Sequence, residues 1–186
     1  MAKKETSKAR LRHAAHRLFA DQGYRETTVQ QIAEAAGLTE RTFFRQFKDK
    51  SDVLFAAHEE FIAALLKAIT ECKEEQSLVK VVSGYREIAK QVFDDTHTMT
   101  AARHEIIMAD ENLYERELLK ANQVTQQIQA VLEPTYGIDD AAFASKLAGN
   151  IYQLAFDTWV KQTEPEKLSS LVWHYYQKYC DFKTRN

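Results

Sequence analysis

Proline and glycine are scarce in this chain of 186 residues, which holds two of the first and five of the second. A collagen-like, loop-dominated or glycine-rich β protein is excluded on that count. Cysteine is nearly absent, with Cys72 and Cys180 alone, so a disulfide framework is not supported. No run approaches the 18 apolar residues of a membrane span. The opening MAKKETSKARLRHAAHRLF has charges where a secretory signal needs an apolar stretch. A cytoplasmic protein without a membrane partner is therefore expected. What the chain does contain is 45% hydrophobic and 28% charged residues, the ordinary globular mixture. With so few breakers among many Ala, Glu, Gln, Lys and Leu, long helices are expected.

The net charge of −2 hides a split along the chain. Residues 1–54 hold eleven Lys and Arg against seven Asp and Glu, a balance of +4, with Lys3 and Lys4 at its start. The remainder carries −6. A basic end on an acidic body is the asymmetry expected where one end meets a polyanion.

Apolar periodicity assigns a first helix to about Ser7–Gln22, with Leu11, Ala14, Ala15, Leu18 and Phe19 on one face and Gly23 ending it. Thr28 reads as an N-cap and Gln31 as its capping-box partner, opening a helix over Val29–Ala36. Gly37 ends that helix, Leu38 plugs the turn, and Thr39 caps a short third helix reaching about Phe47. A fourth helix is expected from Asp49–Asp52 to about residue 74. Further helices are expected over about Leu78–Asp95, Ala101–Ala109, Leu113–Pro134, Asp140–Gln162 and, with Pro165 in its first turn, up to about Phe182. The fold class is all-α. The expected division is a helix-turn-helix domain at 1–54, joined by the long fourth helix to a helical ligand-binding and dimerisation domain at 55–186.

Two short helices joined through Ala35-Ala36-Gly37-Leu38 form a helix-turn-helix pattern, with Gly37 free to take the left-handed backbone of a tight turn. Such a pattern places its second helix in the DNA major groove, where base edges carry a distinct donor and acceptor code. Arg41 and Arg45 lie one turn apart and can reach guanine or phosphate. Thr42 can meet a thymine methyl or a phosphate oxygen. Phe43 and Phe47, at i and i+4, are the expected buried anchors. Phe44 falls between faces, and apolar contact with DNA is expected of it. Lys48 and Lys50 follow where phosphate contacts are typical.

The stretch Gly23-Tyr24, Thr27-Thr28-Val29, Ile32-Ala33, Ala36-Gly37-Leu38-Thr39 and Thr42-Phe43-Phe44-Arg45-Gln46-Phe47-Lys48-Asp49-Lys50 resembles the DNA-binding domain of the TetR family of transcriptional regulators. The resemblance covers about residues 8–55. It implies an all-helical homodimer, usually a repressor, released from a palindromic operator by a small ligand. Thr28 and Lys50 match positions that usually grip phosphates. Gln30 stands where some members read a base, and Thr39, Glu40, Arg41, Thr42, Phe44 and Arg45 match the recognition helix. Where Phe44 stands the family often has Tyr, whose hydroxyl binds a phosphate; Phe44 cannot make that bond.

Beyond residue 55 the residues say less. The family plan puts the last two long helices in a dimer interface, for which Leu147, Ile151, Leu154, Trp159, Leu168, Leu171, Val172, Tyr175 and Tyr179 are the candidates. A mostly apolar effector pocket is expected among the preceding helices, with Phe61, Leu65, Tyr85, Ile88, Phe93, His104, Met108 and Tyr152 as candidate lining. Arg103-His104-Glu105-Ile106-Ile107 with Leu113, Glu117 and Leu118 faintly resembles family members that sense acyl-CoA-type or other lipophilic effectors.

Other chemistry finds no pattern. His13 and His16 stand at i, i+3 without a carboxylate or cysteine to complete a zinc set. No phosphate loop and no G-x-S-x-G are present. No enzyme activity, cofactor or metal is expected. The reading is a sequence-specific DNA-binding regulator, with double-stranded operator DNA, a second copy of the chain and an unidentified small molecule as partners. An activator or dual regulator of the same family, or a ligand-binding helical protein with a vestigial DNA domain, are the alternatives.

Overall fold

The computed structural model describes residues 6–185. Lys3, Lys4 and Glu5, counted in the basic end, lie outside the described residues. Among those described, nine α-helices follow one another and no strand occurs: α1 Ser7–Gln22, α2 Val29–Ala35, α3 Glu40–Gln46, α4 His58–Glu71, α5 Ser77–Ile88, α6 His97–Met108, α7 Glu111–Tyr136, α8 Ile138–Trp159 and α9 Leu168–Arg185. No helix among the described residues is long and apolar enough to cross a membrane.

The chain folds as two compact units. The first takes residues up to His58 together with Ala102–Tyr114; the second takes Glu59–Ala101 and everything from Glu115 onward. The sequence-based division at residue 54 treated each unit as one continuous stretch. A segment more than forty residues further on in fact returns to the first unit.

Several helix limits differ from expectation. The fourth helix does not run unbroken from Asp52, because Ser51–Val53 forms a 3-10 turn and α4 starts at His58. The Asp49 carboxylate accepts from the Ser51 hydroxyl at 2.5 Å and from the Asp52 amide at 2.9 Å. These bonds favour a tight turn over continued helix. The helix expected over 78–95 changes character at Ala89–Phe93, a π-turn closed by the Asp94 amide bonding to the Ala89 carbonyl at 3.0 Å. Pro134 does not stop α7. It occupies the last turn, and the helix ends at Gly137 with φ of 81°. Pro165 lies in the loop before α9 rather than in its first turn.

Each unit has its own core. In the first, Leu11, Ala15 and Phe19 of α1 pack with Ile32 of α2, Phe43 and Phe47 around α3, Val53–Phe55, and Ile107 and Leu113. In the second, α5, α8 and α9 pack tightly around Val81, Tyr85, Ala144, Ala148, Ala155, Trp159, Leu168 and Val172. The alanine run of α8 permits this close approach. Gly84 of α5 does the same for α4, because a Cβ there would collide with Ile69 Cγ1. The α8–α9 connection is pinned from the π-turn side. Asp94 accepts from the Ser169 amide (3.0 Å) and hydroxyl (2.7 Å), and His97 Nε2 donates to the Trp159 carbonyl (2.9 Å).

Candidate nucleic-acid interface

The α2–α3 pair is built from local signals. The Thr28 hydroxyl accepts the Gln31 amide at 3.2 Å, and the Gln31 side chain accepts the Thr28 amide at 2.8 Å, a complete capping box. Gly37 then turns the chain with φ of 61°, a left-handed value that a Cβ makes costly. The Leu38 amide reaches back to the Ala33 carbonyl at 2.8 Å and the Gly37 amide to Glu34 at 2.8 Å. Thr39 opens α3 by accepting the Thr42 amide at 3.2 Å, and the two threonine hydroxyls lie 3.1 Å apart.

On the inner side of α3, Phe43 and Phe47 are buried with ring centroids 5.3 Å apart. The outer side exposes Arg41, Phe44 and Arg45, with Lys48 just beyond the helix end. Phe44 is 54% exposed, and its ring stands edge-on to Phe43 at 5.5 Å. Thr28, Gln30, Thr39 and Glu40 are also exposed, and Gln30 is held by Glu34 at 2.9 Å. All ten sequence-derived interface residues therefore belong to the first unit. Thr42 is half-buried, its hydroxyl beside that of Thr39.

Lys50 is placed differently from its neighbours. Its ammonium donates to the carbonyls of Tyr24 (2.6 Å), Thr27 (2.8 Å) and Arg25 (3.3 Å), and lies 4.2 Å from the Tyr24 ring centroid. An ammonium has three donors, so in this structure all of them close the loop before α2. Burial pushes its pKa down from the ordinary lysine value, partly opposed by the Glu26 and Asp110 charges.

Sequence reasoning missed the residues that brace this unit. Arg10 of α1 donates from Nη2 to the Ala36 carbonyl at the end of α2. Arg103 of α6 donates from Nε to the Leu54 carbonyl at 2.7 Å and lies over the Phe55 ring, 5.4 Å from its centroid. Asp110 faces Arg25 at 3.6 Å. No local pattern announces these contacts, because each partner is far away along the chain. His16 of α1 is half-buried. Burial first, then the charges of Arg12, Arg103 and His13, hold its pKa at about 4, so it is neutral at pH 7.

The second unit corrects several assignments. Trp159, Leu168 and Val172 are completely buried inside the protomer, and Leu171 and Ile151 nearly so. Trp159, Leu168, Leu171 and Val172 form core and offer no interface surface, whereas Ile151 keeps an edge at the surface. Leu154, Leu147, Tyr175 and Tyr179 do reach the surface, and with them Phe143 and Phe182, which had gone unnoticed. Around Leu154, Tyr175, Tyr179 and Phe182 lies a shallow groove of about 450 Å³. Among the pocket candidates, Leu65, Tyr85 and Ile88 are packed core. His104 and Met108 lie on the part of α6 that belongs to the first unit. Phe61, Phe93 and Tyr152 are partly exposed. Phe156, not foreseen, links them, with Phe93 6.1 Å from both Phe61 and Phe156, and Tyr152 6.1 Å from Phe156.

A capped helix, a left-handed glycine turn and a second helix with a cationic outer face on a phenylalanine core define a helix-turn-helix protein. Residues 11–57 match the family described as "Bacterial regulatory proteins, tetR family". The HTH-type transcriptional regulator TcmR of Streptomyces glaucescens is 52% identical over 52 residues, covering 26% of this chain and 23% of TcmR. The chain spans between about a quarter and a half of the length of the first curated relatives it matches. Two solved structures share the fold across almost the whole chain. The fatty acid degradation regulator FadR from Bacillus halodurans is 23% identical, with TM-score 0.63, over 94% of this chain and 95% of its own. Thermus thermophilus FadR, described as a repressor in complex with lauroyl-CoA, is 20% identical, with TM-score 0.61, over 91% of each chain. The family match thus lies in the helix-turn-helix unit, and across the whole chain the likeness to these solved structures is one of fold.

Proposed function

We propose that the chain is a homodimeric repressor that binds a near-palindromic DNA operator through α3 and is released by a small lipophilic ligand. The observation that carries this reading is the outer face of α3: Arg41, Phe44 and Arg45 exposed together on a helix whose opposite side is locked by Phe43 and Phe47. Exposed side chains on a rigid short helix are what reading base edges requires. Thr28 and Lys48 supply hydrogen-bonding and cationic groups suited to phosphates.

Dimerisation is supported by the strip Phe143, Leu147 and Leu154 on α8 beside Tyr175, Tyr179 and Phe182 on α9. Phe143, Leu154 and Phe182 are left exposed by the protomer, and Leu147, Tyr175 and Tyr179, partly buried, lie at helical spacing between them. In the dimer, two α3 helices enter successive major grooves about 34–36 Å apart. The lipophilic ligand is supported by the partly exposed rings of Phe61, Phe93, Tyr152 and Phe156 in the second unit, and by the lauroyl-CoA held by one structural relative. Ligand binding shifts the population toward a pose that no longer matches the groove spacing. By linkage, DNA then weakens ligand binding by the same factor.

The test is selection of bound duplexes from a random-sequence library with the full chain at moderate salt. Enrichment of one near-palindrome is expected, together with its loss from Arg41→Ala or Arg45→Ala. Retention that is sequence-blind and vanishes with salt would overturn the reading.

A further inference from the structure

We propose that Phe44 reads the 5-methyl group of a pyrimidine in the operator, and so fixes one thymine in each half-site. This rests on the DNA-binding reading above and names the chemistry that one residue of that surface recognises.

A ring that is 54% exposed on a seven-residue helix costs apolar hydration, and nothing in the first unit covers it. Phe44 is flanked on its own face by Arg41 one turn before and Arg45 next to it, both exposed. Its ring stands edge-on to the buried Phe43 at 5.5 Å and 82°. The outer face of α3 therefore presents an apolar ring between two cations.

Cations at that spacing find phosphate oxygens or guanine acceptors. The ring has no polar atom, and the one apolar group that the major groove displays is the C5-methyl of thymine. Thr42 had been the candidate for that methyl from the sequence. In the structure Thr42 is half-buried, its hydroxyl 3.1 Å from that of Thr39, whereas the Phe44 ring is the most exposed apolar group of α3. The neighbouring ring is left to meet the methyl. Cytosine lacks the group and 5-methylcytosine regains it, so the recognised feature is a 5-methylpyrimidine edge rather than a hydrogen-bond pattern.

The experiment takes the duplex selected by the full chain and replaces each thymine in turn by deoxyuridine, which removes the methyl and leaves pairing intact. At one symmetric position per half-site, uracil should weaken binding about fourfold, the effect of one buried methyl. Cytosine there should weaken binding further, and 5-methylcytosine should recover part of that loss. Phe44→Ala should bind thymine and uracil duplexes alike, and Phe44→Leu should keep the preference. Both substitutions are at an exposed ring, and circular dichroism checks that helix content is retained. An enriched duplex indifferent to uracil at every position overturns the inference, leaving DNA binding intact. A thymine preference unchanged in Phe44→Ala overturns it equally. A library from which nothing is enriched overturns the DNA-binding reading and this inference with it.

Discussion

Lys50 meets Tyr24 twice: its ammonium donates to the Tyr24 carbonyl at 2.6 Å and lies 4.2 Å from the centre of the same residue's ring. With the Thr27 and Arg25 carbonyls as further acceptors, the lysine fastens the loop that delivers Thr28 to the start of α2. Its position close to the interface makes it a phosphate contact by pattern, but its donors are spent on the protein. Lys50→Met should lower stability by about 1–2 kcal/mol. It should weaken binding alike on all sequences, because the Thr28 cap loses its support. The slope of log affinity against log salt should stay near that of the unsubstituted chain. A fall of about one unit, the signature of one lost phosphate neutralisation, would return Lys50 to the backbone of the DNA.

Gly37 and Arg10 act together at the turn. A Cβ on Gly37 would need a left-handed φ of 61° and would stand 2.9 Å from Arg10 Nη2. That nitrogen also closes the end of α2 on the Ala36 carbonyl. Gly37→Ala should cost about 1–2 kcal/mol in urea unfolding. Arg10→Met should cost about 1 kcal/mol, from the lost bond to the carbonyl. In the double variant the two losses should be less than additive, since each disturbs the same contact. Full additivity would show that the arginine does not sense the turn.

His16 makes stability depend on pH. Its folded pKa of about 4 lies below the ordinary 6.5, so the unfolded chain takes up its proton first. Stability is then full above pH 6.5 and falls as pH drops toward 4, by up to about 3 kcal/mol. Urea midpoints measured between pH 7 and 4.5 should show this decline, and His16→Gln should flatten it. An equal decline in the variant would assign the effect to the carboxylates.

Leu154 and Trp159 lie five residues apart on α8 with opposite fates. Leu154 is 51% exposed, whereas Trp159 is wholly buried, its indole nitrogen donating to the Glu166 carbonyl at 2.9 Å. Leu154→Glu should give a folded monomer in sedimentation equilibrium, with the far-ultraviolet spectrum retained. Trp159→Ala should cost about 3–5 kcal/mol of stability without a specific effect on self-association. A dimer surviving Leu154→Glu would remove this face from the interface.

The helix-turn-helix was legible because its signals are short. Thr28 and Gln31, Thr39 and Thr42, Phe43 and Phe47 interact across three or four residues, and glycine marks both turns. The start and end of α1, the caps of α2 and α3 and the inward placement of Phe43 follow from such spacing, and the structure agrees at each. In the second unit the pattern showed which residues are apolar but not which way they face. Trp159, Leu168 and Val172 carry the same composition signal as Leu154 and Tyr179, yet the first three fill the core. Helices rich in large apolar groups on several faces leave that choice to their neighbours.

By itself, then, the sequence determined an all-helical chain, the helices of the N-terminal unit with their caps, and the residues offered on α3. These depend on interactions within one or two turns of helix, which any chain of this sequence makes wherever it folds. Tertiary structure alone decided the return of residues 102–114 to the first unit, the closing of Lys50 on Tyr24, the Arg10 cap and the inner and outer faces of α8 and α9. Those contacts join residues from 26 to 49 positions apart. Only packing brings such partners within hydrogen-bonding reach, and no local periodicity records it.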